Sequence, residues 1–298
     1  MILQVLTLIV CCAIRVFCDN PTAIVAPSSA PDPGYIVAES DAGLSNRLRV
    51  LAGYMYVGEA RFSGAHLVFI WDVNAACPGH FLEIFQPIPG VLFANNGSRY
   101  VVDKHSKINY ENSWAVLHWT LQMNGIPKNR YGHPTWGQIE HNMYSKFIPT
   151  PRIKFMASEF IRKYDICNAA AMHLRLTDLE DQIKAKRKAH RGINIEAYME
   201  FVEKQNKVFL LTDNPDTQKL FIDKYPDKVI VYDRISPKVN VTDKPVDFRY
   251  TSLEHTIIDV LVAAHAKKFK PSLYSSLSDL VGHFRDVSSG WEWCETED

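Results

Sequence analysis

Four short stretches of this chain bring together side chains that hold anions or move protons. The first is Met172-His173-Leu174-Arg175-Leu176-Thr177-Asp178, at the end of an apolar run. Side chains two apart on a strand face the same side, so His173 and Arg175 share a face. A guanidinium there offers a rigid fork of donors suited to phosphate oxygens. An Arg175–Asp178 salt bridge closing a surface turn is the structural alternative. The second stretch is Leu211-Thr212-Asp213-Asn214-Pro215. Asp213 either caps the following helix or accepts from the N1–H and amino group of a guanine. The third, Tyr274-Ser275-Ser276-Leu277-Ser278, leads into a helix. Unpaired N–H groups at a helix start, with hydroxyls beside them, make an anion site without a metal; ordinary capping is the other reading. The fourth runs Glu39-Ser40-Asp41-Ala42-Gly43-Leu44-Ser45-Asn46-Arg47-Leu48. Here Gly43 lets the backbone turn sharply and approach a ligand, with Asn46 and Arg47 in the first helical turn. A plain surface turn would account for the same residues.

For these clusters to act together they must stand at the carboxyl edges of parallel sheets, and the chain alternates accordingly. Residues 35–38 (YIVA) read as a strand and 39–43 as a turn; Leu44, Leu48, Leu51 and Met55 fall on one helical face, and 66–71 (HLVFIW) is a second strand. Residues 110–144 look helical and irregular. The two prolines of 147–154 (FIPTPRIK) make that stretch the best boundary between domains. Beyond it the alternation is cleaner, with strands at 169–174, 208–212, 229–232 and 267–271 and helices at 195–204, 215–224, 252–266 and 275–284. The expected fold class is α/β, with two Rossmann-like domains, 34–150 and 151–298, whose parallel sheets face across a cleft. Ligands then sit at the carboxyl ends of the strands.

Composition narrows the function classes. The 33 Lys+Arg balance 33 Asp+Glu, and 47% of residues are hydrophobic. A sequence pI near 7.2 argues against a nucleic-acid coat, and the hydrophobic content argues against disorder. With no Walker loop and no G-x-G-x-x-G, P-loop hydrolases and ordinary dinucleotide dehydrogenases are poor readings. Residues 1–18 are apolar except for Gln4 and Arg15. The uninterrupted part, 2–14, is short of the ~20 residues of a span but suits a secretory signal or short anchor; a buried strand or helix is the alternative. A genuine leader predicts the secretory lumen (ER or Golgi) or secretion, and otherwise the cytoplasm. Residues 19–33, rich in proline and serine, read as a spacer.

Cys11, Cys12 and Cys18 belong to the leader, so Cys77, Cys167 and Cys294 make at most one bridge. Cys77-Pro-Gly-His80 has no second pair at ligand spacing, and no metal is expected. Asn96-Gly-Ser98 and Asn240-Val-Thr242 are sequons, glycosylated if the chain enters a secretory lumen.

In order and spacing, G-L-S-N-R, H-L-R-L-T-D, T-D after a later strand and S-S-L-S before the last helix resemble the fucosyltransferase superfamily. That group comprises the α1,2-, α1,6- and protein O-fucosyltransferases, and the resemblance spans roughly residues 35–286. It implies a GT-B-type fold and an inverting, metal-independent transfer of fucose from GDP-fucose to a glycan or protein hydroxyl, with no cofactor. Arg175 would bind the pyrophosphate and stabilise the leaving group, His173 and Asp178 would join the donor site, Asp213 would read guanine, and Ser275 and Ser276 would hold phosphate. Gly43, Asn46 and Arg47 would face the donor sugar and acceptor. Glu39 and Asp41 are the carboxylates nearest that loop for a general base. The α1,2 and α1,6 groups typically read His-x-Arg-Arg-x-Asp, whereas Leu176 stands here at the second arginine, so the linkage class is not implied.

Lesser signals complete the reading. The basic run 184–191 (KAKRKAHR) is a solvated face or a lid over the pyrophosphate, and Trp114, Trp119 and Trp136 are core or an acceptor platform. Asp178-Leu-Glu180 superficially matches a metal-binding D-x-D motif, but lacks the single nucleotide domain expected ahead of it. The competing readings are a catalytically silent nucleotide- or sugar-binding protein on the same fold, and a transferase using another nucleotide-sugar. The expected partners are a GDP-sugar donor and a glycan or glycoprotein acceptor, with no nucleic acid and with membrane contact only through an N-terminal anchor.

Overall fold

The computed structural model describes residues 35–61, 66–95, 106–110, 140–175, 194–233, 251–273, 275–288, 291 and 293–294. The leader, the spacer, both sequons, the three tryptophans 114, 119 and 136, the 184–191 run, Asp178 and Glu180 lie outside the described residues. From Tyr35 onward the chain forms one compact unit.

Among the described residues, two four-stranded sheets organise it. The first contains β1 (Tyr35–Glu39), β2 (His66–Ile70), β3 (Val91–Ala94) and β4 (Ser106–Tyr110), in the order β3-β2-β1-β4. The second contains β5 (Ala170–Leu174), β6 (Val208–Thr212), β7 (Val229–Ile230) and β8 (Lys268–Lys270), in the order β7-β6-β5-β8. Every strand pair is parallel. In each sheet the chain steps outward for three strands and then returns to the other side of the first. The strand order therefore reverses at β1/β4 and at β5/β8, and in open parallel sheets such switch points open ligand crevices at the carboxyl ends.

Helices α1 (Leu44–Arg61), α2 (Phe81–Ile84), α3 (Pro151–Tyr164), α4 (Ile195–Glu203), α5 (Pro215–Lys224), α6 (Leu253–His265) and α7 (Ser276–Val287) connect and cover the sheets. Their starts follow local chemistry. Thr150, Asn194, Asn214 and Ser252 each accept from the backbone N–H three residues on, and Pro151 and Pro215 occupy first-turn positions. Helix α3 stops at Asp165, whose φ of 52° places it in the left-handed region.

Strand parity divides the interior. Ala170, Met172, Leu174, Val208 and Leu210 pack with Tyr198, Val202 and Phe221, on the face toward α4 and α5. Ala171, Phe209 and Leu211 turn to the opposite face and join a larger core. That core also takes in Leu44, Leu48 and Leu51 of α1, Phe69 and Trp71, Phe160 of α3, most of α6, and Phe284 of α7. One apolar interior thus runs from the first sheet to the second. Helix α6 is buried from Ile257 to Ala264, and several of its polar groups find local partners. His255 Nε2 lies 3.3 Å from Asp259 Oδ2, and Arg285 donates to the Ala266 carbonyl at 2.5 Å where the helix ends. His265 stacks on Trp293, and a Cys167–Cys294 disulfide fastens the segment carrying Trp293 to the short turn between α3 and β5. Cys77 is a buried thiol.

Most elements fall where the pattern predicts. Strand β7 is shorter than expected, with two residues, and α7 begins one residue later and ends three residues later than expected. The periodicity reading omits β3 and β4. Both are edge strands, and β4 (SKINY) has no apolar run to announce it; pairing with β1 makes it a strand.

Candidate functional site

The carboxyl ends of β5 and β8 carry the densest polar arrangement. His173, on the same face as Ala171, is 2% exposed, with Nδ1 2.9 Å from the Ser278 hydroxyl on α7. Ser278 Oγ also accepts from the Ser272 amide at 2.9 Å. The Arg175 amide in turn donates to Ser272 Oγ at 3.4 Å. Tyr198 of α4 supports the same loop by donating its hydroxyl to the Pro271 carbonyl at 2.9 Å. Burial raises the Tyr198 phenol above its ordinary value, while a hydrogen bond with Ser272 acts the other way. These bonds fix the β8–α7 loop against the end of β5. Arg175 lies one residue past β5 and is half-buried.

The electrostatics favour anions. Burial, and secondarily the Arg175 guanidinium, hold the His173 imidazole down to about 3, so it is neutral at physiological pH. With Nδ1 on Ser278, Nε2 is the ring nitrogen left for a ligand. Ser275 stands at the N-cap of α7 but, unlike the four capping residues above, makes no side-chain cap bond. It is 3% exposed, and its hydroxyl has no hydrogen-bond partner among the described residues. An unmatched buried hydroxyl costs stability, and beside the first N–H groups of a helix it is well suited to a negatively charged ligand. Ser276, the first residue of α7, is partly exposed.

Asp213 lies past the end of β6, two residues beyond the inward-facing Leu211, and is partly exposed. It does not cap α5: Asn214 does, accepting from the Thr217 amide at 2.8 Å. The cap alternative for Asp213 is thereby corrected: α5 begins at Pro215, as the pattern predicts, and the cap is the residue immediately before it.

At the carboxyl end of β1, Glu39 is partly buried and Asp41 exposed, with the Asp41 carbonyl accepting from Asn74 Nδ2 at 2.7 Å. Gly43 is buried and opens α1 with its carbonyl, which accepts from the Asn46 and Arg47 amides at 3.0 and 3.1 Å. The positive-φ residues among those described are Asp165 and Gly90, so Gly43 does not adopt the left-handed conformation. Arg47 is fully buried. It donates from Nε to the Ala42 carbonyl and from Nη1 to the Asp72 carbonyl, each at 2.6 Å, and lies 5.0 Å from the Trp71 ring. It braces the glycine loop against the end of β2. Asn46 is partly exposed, with Oδ1 3.5 Å from Arg49 Nη1.

Arg49 also reaches Asp279 of α7 at 2.8 Å, across 230 residues of chain. Both belong to the first two turns of helices that follow switch-point strands, so this ion pair brings the two carboxyl edges together. The sequence reading did not single out Arg49, Asp279, Ser272 or Tyr198, and it named Ser278 only as part of a motif. Among the described residues no group of three or more His, Cys, Asp or Glu is placed to hold a metal ion. Asp178, assigned to the donor site, lies outside the described residues.

Two parallel Rossmann-like sheets with polar switch points define an α/β fold of the GT-B type. No protein-family model and no curated protein matches the sequence. Among solved structures, the chain is similar to NodZ α1,6-fucosyltransferase co-crystallised with GDP, with a TM-score of 0.51 and 14% identity over 84% of this chain and 91% of that one. It is likewise similar to POFUT1 in complex with GDP-fucose, with a TM-score of 0.50 and 13% identity over 88% of this chain and 96% of that one. At these identities the likeness is one of fold.

Proposed function

We propose that this chain is a glycosyltransferase that transfers fucose from GDP-fucose to a hydroxyl of a glycan or protein, with inversion and without a metal ion. The observation that carries the reading is the meeting of His173, Arg175 and the unmatched Ser275 hydroxyl at the β5/β8 switch point. The motif resemblance supports it, as do the GDP and GDP-fucose in the solved structures that share the fold.

In this reading Arg175, Ser275, Ser276 and the start of α7 hold the diphosphate, joined by Asp178. His173 Nε2 meets the ribose or a phosphate, and Asp213 accepts from guanine. The acceptor oxygen forms a bond to the anomeric carbon as the bond from that carbon to the β-phosphate oxygen breaks. GDP leaves with the electron pair, and the acceptor proton passes to a carboxylate, Glu39 or Asp41. Charge grows on the departing diphosphate, where the Arg175 guanidinium and helix N–H groups stand ready. Residues 34–150 form the acceptor side, including Gly43, Asn46 and Arg47, and 151–298 the donor side. The Cys167–Cys294 bridge and the two sequons support a secretory-lumen location, where disulfides persist.

The test is thermal stabilisation by GDP against UDP and ADP in EDTA, followed by GDP release from GDP-fucose. A ligand at 100 times its Kd adds about 2.7 kcal/mol, which moves the Tm by roughly 5–11 °C for a domain of this size. Binding without turnover on any acceptor would favour a silent nucleotide-binding protein, and no GDP-selective shift would overturn the assignment.

A further inference from the structure

Asp279 poses an electrostatic problem for any anion at the start of α7. Its amide donates to the Ser275 carbonyl at 3.2 Å, so it lies in the first full turn of the helix whose N-terminus carries the buried, unmatched Ser275 hydroxyl. At 1.5 Å of rise per residue, its Cα is about 6 Å along the axis from Ser275. A carboxylate there favours the helix, because it answers the positive end of the dipole. It also competes for that positive end with a bound diphosphate and repels it, well within a Debye length. The structure contains a counter-charge, the Arg49 guanidinium 2.8 Å from Asp279 Oδ2, with an Arg49 side chain only 17% exposed. It comes from the opposite sheet's helix α1, three residues after Asn46, whose Oδ1 lies 3.5 Å from the other guanidinium nitrogen.

We propose that Arg49 is a positioning and charge-compensating residue for the nucleotide site. It cancels Asp279 so that the start of α7 accepts a diphosphate, and in doing so holds the Asn46 turn beside the donor. The inference rests on the GDP-sugar reading above and deepens it, since it makes competence of the donor-side helix depend on a residue of the other sheet. Removing one positive charge at this distance weakens a diphosphate by roughly three- to tenfold.

The experiment measures GDP Kd by calorimetry for the full chain and for Arg49→Gln, Asp279→Asn, the double variant and Arg49→Lys, at low and high salt. Arg49→Gln is expected to raise Kd by roughly three- to tenfold, with the effect shrinking in high salt. The double variant and Arg49→Lys should recover most of the loss. A GDP Kd unchanged in Arg49→Gln overturns the inference while leaving the GDP reading intact. A loss that the double variant does not recover also overturns it, because the role would then be packing. Failure of the unsubstituted chain to bind GDP overturns the reading on which the inference rests.

Discussion

His173 Nδ1 lies 2.9 Å from the Ser278 hydroxyl, and the same hydroxyl accepts from the Ser272 amide at 2.9 Å. One serine side chain therefore ties the end of β5 to the start of α7 and to the loop between β8 and α7. Ser278→Ala removes both bonds at once and leaves two buried polar groups unmatched. It should lower unfolding free energy by about 1–3 kcal/mol, read from urea denaturation, and weaken GDP binding together with it.

The buried His173 makes stability fall in acid. Its folded-state value of about 3 lies below the ordinary 6.5. Between those values the unfolded chain binds a proton that the folded chain does not, so stability rises with pH across that window. The contribution is complete above 6.5 and is lost as pH falls toward 3, with a slope approaching about 1.4 kcal/mol per pH unit. His173→Asn should flatten the dependence of Tm on pH between 7 and 4. An unchanged slope would show that His173 titrates normally in the folded protein.

Arg175→Ala should leave far-UV circular dichroism intact and cut the rate of fucose transfer by about 100- to 1000-fold, the usual effect of removing a donor that stabilises developing negative charge. Full activity in this variant would remove Arg175 from the site.

Arg47 predicts a different pattern, because its Nε and Nη1 serve the protein's own backbone. A lysine cannot span the Ala42 and Asp72 carbonyls with a planar fork while lying against Trp71. Arg47→Lys should cost about 2–4 kcal/mol of stability by denaturant unfolding. A variant of native stability that lost only turnover would instead make Arg47 a direct ligand of substrate.

The Cys167–Cys294 bridge closes a separation of 127 residues. Reduction, or the paired Cys→Ser substitution, should lower stability by about 2–4 kcal/mol. Non-reducing peptide mapping should recover these two cysteines in one linked fragment; a different pairing would refute the bridge.

The sequence by itself determined the alternation of strands and helices, and with it the placement of His173, Arg175 and Asp213 at the carboxyl ends of strands and of Ser275 at a helix start. Those features are local: apolar runs report burial of strands, and prolines and cap residues mark where helices begin. Residue type alone did not separate Asp213 from Asn214 as the cap of α5, since either side chain can accept from a first-turn amide; the backbone around Asn214 decided it. Nor could position in the first helical turn show that Arg47 is fully buried with its guanidinium against Trp71. Strand β4 became a strand by pairing with β1, the choice of Cys294 for Cys167 required the chain to return across 127 residues, and Arg49 met Asp279 across 230. These relationships depend on how one apolar core packs both sheets together. Contacts set by that packing leave no periodic trace along the chain, so only the tertiary structure decides them.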